Sequence, residues 1–111
     1  MIHRMLANCT VTDLDRAEQW YARLFERGPD ARPMPGLIEW HLDRAFGLQV
    51  WSEPDRAGGS TVVLDVADLD AAAERAARAG IRHEGPRPGG GRRRILQLAD
   101  PDGNRVVLTG E

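Results

Sequence analysis

The sequence predicts an α+β fold in which two tandem βαβββ modules form a curled mixed sheet. The first observation is an internal repeat: VTDLDRA at residues 11–17 and VADLDAA at residues 66–72 share the pattern V-x-D-L-D-x-A, 55 residues apart. The second observation is that the same types of segment flank both copies. A strand-like run precedes each copy and a helix-like stretch follows it. The chain therefore consists of one supersecondary module used twice.

The two modules are expected to share one domain. A length of 111 residues supports one hydrophobic core but not two ordinary domains with separate cores. Module one covers about residues 1–54, and a linker rich in glycine, proline and charged residues covers about 54–60. Module two covers about residues 61–111.

Each module begins with a strand and a helix. Runs of β-branched and apolar residues predict strands at 6–11 and 61–66. Apolar side chains recur at helical spacing from Leu14 to Phe25 and again from Leu69 to Ala79. The helix of each module is therefore expected to cover one face of the sheet.

The acidic residues of the repeat have a structural explanation. Asp13 and Asp68 precede the two helices, where a carboxylate can accept hydrogen bonds from free backbone N–H groups. Gly28 and Gly80 follow the helices at positions suited to a left-handed termination. We therefore assign the repeated aspartates to helix capping and give them no catalytic role.

Further strands are predicted after each helix. Module one offers GLIEWHL and FGLQVWSE, and module two offers IRHEG, RRILQLA and RVVLTG. The last two are joined by DPDGN, in which Asp100 can accept hydrogen bonds from turn amides and Gly103 tolerates positive φ. Asp100 and Asp102 thus have a structural reason to be present.

Composition narrows the classes of function. Apolar residues make up 41% and charged residues 29% of the chain, which is typical of a globular protein. No apolar run is long enough to cross a bilayer, and the first residues do not form a secretion signal. We therefore expect a cytoplasmic protein without a membrane partner. The lone cysteine, Cys9, excludes an internal disulfide and is expected to be a buried structural thiol.

Charge argues against a nucleic-acid partner. The net charge is −2, and the only basic run is Arg92–Arg94, with no companion stripe of basic and aromatic residues. The glycines before this run would let its guanidinium groups converge on an anion. A solvated strand edge that discourages aggregation explains the same residues, and the sequence leaves both explanations open.

The doubled pattern resembles a known superfamily. With VTDLDRAEQWYARLF near the start and DPDGNRVVL near the end, it is similar to the vicinal oxygen chelate superfamily of glyoxalase I, extradiol dioxygenases and bleomycin-resistance proteins. The resemblance covers residues 5–109. It implies that each module's sheet curls into a cup. In metal-dependent members, four His and Glu side chains from the first and last strands of the modules hold a divalent ion.

The resemblance also implies where those metal ligands would stand. In this chain the four positions are occupied by Leu6, Gln49, Thr61 and Val107. A divalent ion that prefers imidazole and carboxylate ligands would find at best an amide oxygen among them. We therefore expect no metal site and no cofactor.

A different set of side chains is expected to line the cup. Glu39 and His41 alternate along one strand, so they share a face. A three-residue turn after them would place Glu39 opposite Gln49 inside the cup, whereas a two-residue turn would place it on the other face. The predicted ligand-binding residues are polar or aromatic: Asn8, Glu39, His41, Gln49, Trp51, Thr61 and Arg105.

Three hypotheses about the function follow. We favour a non-metal member that binds a small, partly aromatic or cationic organic molecule, such as a drug-sequestering protein of the bleomycin-resistance type, for which the resemblance implies a homodimer. The alternative is a lyase, isomerase or dioxygenase-like enzyme with displaced metal ligands, or acid–base chemistry at His41 and Glu39. An interaction module whose own side chains fill the cup is the third reading.

Overall fold

The computed structural model describes all 111 residues and confirms two βαβββ modules. Module one contains β1 (Met5–Val11), α1 (Leu14–Phe25), β2 (Ala31–Met34), β3 (Leu37–His41) and β4 (Phe46–Ser52). Module two contains β5 (Thr61–Asp65), α2 (Leu69–Arg78), β6 (Arg87–Pro88), β7 (Arg94–Ala99) and β8 (Arg105–Gly110). A short 3₁₀-helix at Pro54–Arg56 lies between the modules. Neither helix has the length and apolar character that crossing a membrane requires.

Each module forms its own four-stranded mixed sheet. The strand orders are β1-β4-β3-β2 and β5-β8-β7-β6, so the second sheet repeats the topology of the first. In each sheet the first and last strands of the module run parallel, and the remaining pairs run antiparallel. A helical crossover after the first strand makes the parallel pairing possible.

The register of module one places three polar residues side by side. Gln49 on β4 lies opposite Asn8 on β1 and opposite Glu39 on β3. His41 lies opposite Gly47, and the same register puts Leu42 opposite Phe46. Three residues, Asp43 to Ala45, remain for the turn. The three-residue turn of the sequence hypothesis is therefore present, and these side chains share one face of the sheet.

The opposite face of this sheet is buried under α1. Alternate strand residues such as Cys9, Val50 and Ile38 are almost fully buried. Tyr21 packs on Trp20, Phe25 and Trp40, with ring centroids 4.7–6.2 Å apart. The apolar side chains of β1, β3 and β4 thus pack under α1, and the polar side chains of these strands lie on the opposite face of the sheet.

The DPDGN turn of module two is hydrogen-bonded to module one. Asp100 Oδ2 accepts a hydrogen bond of 2.7 Å from the Tyr21 hydroxyl, and its Oδ1 accepts from the backbone N–H of Asn104 at 2.9 Å. Asn104 is fully buried, and its Nδ2 donates to the Thr10 carbonyl at 2.8 Å. Its Oδ1 accepts from the Ser60 N–H at 2.8 Å. Buried polar groups from both modules are thereby satisfied together.

The same turn also contacts the end of β1 from the solvent side. Asp102 accepts hydrogen bonds from the Thr12 N–H at 3.1 Å and from the Thr12 hydroxyl at 2.7 Å. The structural role expected for Asp100 and Asp102 is therefore wider than a local turn, because both residues also join the modules.

The predicted helix starts are confirmed, but one predicted helix end is wrong. Asp13 caps α1 by accepting a hydrogen bond from the Arg16 N–H at 3.1 Å, and Asp68 caps α2 by accepting from the Ala71 N–H at 3.0 Å. Gly80, after α2, has the left-handed φ of 82° that was expected. Gly28 does not end α1; Glu26 does, with φ 60° and its N–H bonded to the Ala22 carbonyl. The left-handed turn thus comes two residues before the glycine, and the Arg27 carbonyl that follows it accepts from the Trp40 indole at 3.0 Å.

The predicted strand IRHEG is also wrong. This segment is bonded to the end of α2: the Ile81 N–H donates to the Ala76 carbonyl at 2.9 Å, and His83 Nε2 lies 2.9 Å from the Ala73 carbonyl. Because these groups are hydrogen-bonded to α2, the segment pairs with no strand. The edge strand of module two is instead β6, only two residues long.

We predict that Asn104→Ala lowers the free energy of unfolding by about 2 kcal/mol, because this fully buried side chain no longer accepts from the Ser60 N–H or donates to the Thr10 carbonyl of β1. Urea denaturation measures the change. Asn8→Ala is the matched control, since the side chain of Asn8 is exposed, and it should change the value by less than about 0.5 kcal/mol. Equal effects of the two substitutions would contradict the junction role of Asn104.

Candidate functional site

Five side chains on the open face of sheet one form a continuous hydrogen-bonded chain, which we name the polar network. His41 Nε2 lies 2.9 Å from Glu39 Oε1, and Gln49 Nε2 donates to Glu39 Oε2 at 2.7 Å. Asn8 Nδ2 reaches Gln49 Oε1 at 3.5 Å, and the Thr10 hydroxyl donates to Asn8 Oδ1 at 3.0 Å. The network crosses β3, β4 and β1, so it depends on the strand register described above.

Glu39 is the charged centre of the polar network. Only 7% of the residue is exposed. The hydrogen bond from His41, followed by that from Gln49, holds the pKa of this carboxyl below its usual range although burial opposes the shift. Because an ionised carboxylate only accepts hydrogen bonds, the contacting Nε2 of His41 carries a proton. Glu39 is therefore ionised at neutral pH.

This arrangement suits recognition better than proton transfer. The two hydrogen bonds that lower the pKa of Glu39 also make it a weaker base, and a general base works best with a pKa near the working pH. A carboxylate held in one orientation can instead attract a cation or accept a hydrogen bond from a ligand. The geometry thus supports binding more directly than acid–base catalysis.

The four residues expected at the superfamily's metal positions do not form a set of ligands that suits a divalent ion. Leu6 is apolar, and the amide of Gln49 is occupied at both ends by Asn8 and Glu39. Thr61 and Val107, on β5 and β8, offer one hydroxyl between them. The chain contains no group of three or more His, Cys, Asp and Glu side chains arranged to hold a metal ion.

Trp51 stands beside the polar network. It pairs with Thr10 on β1 and with Leu37 on β3, so it shares their face, and it is partly buried. Its ring lies next to Gly36, where an added Cβ would be 3.5 Å from the ring. Trp20 and Trp40, by contrast, are buried in the core. Trp51 is thus the tryptophan that provides an aromatic surface next to an anionic centre.

The remaining predicted ligand residues lie on the other sheet. Thr61 and Arg105 face each other on β5 and β8, and both are exposed. Neither has a hydrogen bond to the polar network. The structure therefore brings four of the seven predicted residues into direct contact, places Trp51 beside them, and leaves Thr61 and Arg105 in module two.

Sequence reasoning missed two parts of this surface. Thr10 extends the polar network, and its alternation with Asn8 along β1 was the signal available for it. Arg105 lines a hollow of about 380 Å³ that Arg82 and Arg87 also line. No sequence signal marks that hollow, because its walls come from segments that only the fold brings together.

Cys9 is not part of this face. It is fully buried beneath α1, and burial raises the pKa of its thiol to about 11. Burial likewise raises the pKa of the neighbouring Tyr21 hydroxyl, which donates to Asp100. A neutral, enclosed thiol is a structural residue, in agreement with the sequence prediction.

Comparison with known proteins identifies relatives over the full chain. The family model of the glyoxalase-like domain matches residues 6–109. A glyoxalase/bleomycin resistance protein from Catenulispora acidiphila is 26% identical, with a TM-score of 0.89 and 97% of each chain covered. A bleomycin-binding protein complexed with bleomycin is 22% identical, with a TM-score of 0.79 and coverage of 97% of this chain and 98% of that one. A lactoylglutathione lyase from Agrobacterium tumefaciens is 18% identical, with a TM-score of 0.79 and coverage of 96% and 91%. The chain matches no curated protein.

We predict that Glu39→Gln flattens the loss of stability in acid. The pKa of Glu39 is lower in the folded state than in the unfolded state, so its stabilising contribution is present above the unfolded pKa and is lost as pH falls through the folded pKa. Urea midpoints measured from neutral to acidic pH test this. Glu74→Gln, at an exposed position of α2, is the control and should keep the wild-type slope. Identical slopes for the wild type and both variants would contradict the prediction.

We also predict that Cys9 resists thiol reagents in the native protein. With a pKa of about 11 and no exposed surface, roughly one thiol in a thousand is ionised at pH 8, and the reagent cannot reach it. Absorbance-based thiol titration should show labelling only after denaturant is added. Rapid labelling of the native protein would show that the thiol is accessible.

Proposed function

Because this chain belongs to the glyoxalase-like domain family, within the vicinal oxygen chelate superfamily, we propose that it binds a small organic molecule, partly aromatic or cationic, without a metal ion. The binding surface comprises the seven predicted residues: Asn8, Glu39, His41, Gln49, Trp51, Thr61 and Arg105. Such a protein would sequester its ligand instead of converting it.

The observation that carries this proposal is the pairing of an ionised, nearly buried Glu39 with the partly buried Trp51 on one sheet face. A cation is attracted both by a fixed carboxylate and by the face of an indole ring. His41 and Gln49 hold the carboxylate in place, so little ordering is needed when a ligand arrives. An aromatic cation is therefore the chemical class that this surface favours.

Two structural neighbours bear on the choice between binding and catalysis. One structural neighbour is a bleomycin-binding protein complexed with bleomycin, so the same fold can hold an organic drug. Another neighbour is a lactoylglutathione lyase, so the fold also serves enzymes. The alternative function is therefore a lyase, isomerase or dioxygenase-like enzyme, and the contact of 2.9 Å between His41 and Glu39 is the observation that favours it.

Two further parts of the proposal rest on the sequence and its resemblance. We propose a homodimer, because the bleomycin-resistance proteins that the sequence resembles are dimers with clefts between subunits. We also propose a cytoplasmic location. Light scattering coupled to size exclusion gives the oligomeric state, and a monomer at all concentrations would remove the first of these parts.

We predict that metal-free bleomycin or benzyltrimethylammonium raises the Tm of the protein by several degrees at saturating concentration. In Glu39→Gln the affinity for the active probe should fall about tenfold, because a charged partner becomes neutral. Glu74→Gln removes the same charge from exposed α2 and should leave the affinity unchanged. Absence of a shift with both probes, or an equal loss in both variants, would count against the proposal.

A metal-loading experiment separates the alternative. The protein is incubated with nickel, zinc or manganese, desalted and subjected to elemental analysis. The proposal expects less than stoichiometric metal in the wild type and no difference in His41→Ala. Stoichiometric metal that His41→Ala abolishes would replace the binding function with the enzymatic one.

A further inference from the structure

Module two contains a hollow of about 380 Å³ whose walls carry three arginines. Arg82 comes from the segment after α2, Arg87 from β6 and Arg105 from β8. Glu84 is the one acidic residue of its lining. We name this site the arginine hollow. Its volume matches a small-molecule pocket and is too small for a nucleic-acid duplex.

The arginines of this hollow have no carboxylate partner within the chain. Four arginines elsewhere do, and two of them are in module two: Arg93 pairs with Asp65, and Arg94 makes a two-point contact with Asp70 at 3.0 and 2.9 Å. In the arginine hollow, Arg87 donates to the neutral Gln97 at 2.9 Å, and neither Arg82 nor Arg105 forms a salt bridge. Three positive charges therefore face one negative charge across a concave surface.

This contrast also bears on the two explanations that the sequence left open for Arg92–Arg94. Two of the three guanidinium groups in that run are occupied by carboxylates. They are held along the strand edge and are not free to converge on an anion. Arg82, Arg87 and Arg105, which form no salt bridge, share the walls of the arginine hollow.

One wall of the hollow is held by His83. Its Nδ1 accepts a hydrogen bond from the Gly85 N–H at 3.0 Å, so the proton of the ring lies on Nε2, which donates to the Ala73 carbonyl at 2.9 Å. Gly85 has φ 84°, a conformation that glycine adopts without strain. These contacts fix the segment that carries Arg82 and Glu84 against α2, so the hollow has a defined shape before a ligand arrives.

We propose that the arginine hollow binds the anionic group, phosphate or carboxylate, of a small molecule. Guanidinium groups match both anions through paired N–H donors, and a concave site concentrates their field. This inference rests on the proposed small-molecule-binding function, because Arg105 belongs to that surface, and it adds a chemical class to the ligand. Phosphate and carboxylate are separate arms of the test.

The test is isothermal titration of the full chain with pyrophosphate and, separately, with citrate, at constant ionic strength. We expect binding of at least one anion, weakened about tenfold in Arg87→Gln and in Arg105→Gln. Arg92→Gln is the matched control, because it removes the same charge from an exposed residue outside the hollow, and it should bind as the wild type does. Glu84→Gln removes the opposing charge and should bind more tightly.

Two results would overturn the proposal: no binding of either anion at millimolar concentration, or equal weakening in Arg92→Gln and Arg105→Gln. Circular dichroism of each variant confirms that it is folded. Failure of anion binding while the aromatic cation still binds would reject this inference alone, whereas loss of the cation result alone would reject the proposed function.

Discussion

The two modules depend on a buried hydrogen-bonded junction at the DPDGN turn. Asp100 accepts from the Tyr21 hydroxyl of module one, and Asn104 bridges the Thr10 carbonyl and the Ser60 N–H. A buried polar group without a partner lowers the stability of the folded state by about 1–3 kcal/mol. These groups have all their partners only when both modules are folded together. The turn that closes the last hairpin therefore also sets how β1 lies against module two.

In both sheets one face is apolar and packs under a helix, and the other face is open and polar. The proposed binding residues lie on the open faces. Each helix covers the apolar residues of its sheet, because those side chains are withdrawn from water together. The polar residues of the alternating strands are left on the open face. In module one they form a network around an ionised Glu39, whereas in module two unpaired arginines surround a hollow. The open face of module one is thus centred on a carboxylate, whereas the hollow of module two is lined mainly by guanidinium groups.

Much of the architecture and part of the site were predictable from local patterns. The repeat, the helix caps and the hairpin turn act within a few residues, so the sequence reports them directly. The placement of Glu39 beside Gln49 required only the length of one turn. Prediction failed at two segment ends: α1 stops at a left-handed Glu26 before Gly28, and the segment around His83 is hydrogen-bonded to α2 and joins no strand.

By itself, the sequence determined the two βαβββ modules and the residues available on each strand, because strand alternation and helical periodicity are local properties. The sequence also indicated which residues stand where the resemblance implies metal ligands. Only the tertiary structure decided which polar residues meet. The pKa of Glu39 depends on contacts with His41 and Gln49, and the arginine hollow is built from residues of three separate segments. Such contacts join positions far apart in the chain, and the free energy of packing selects them.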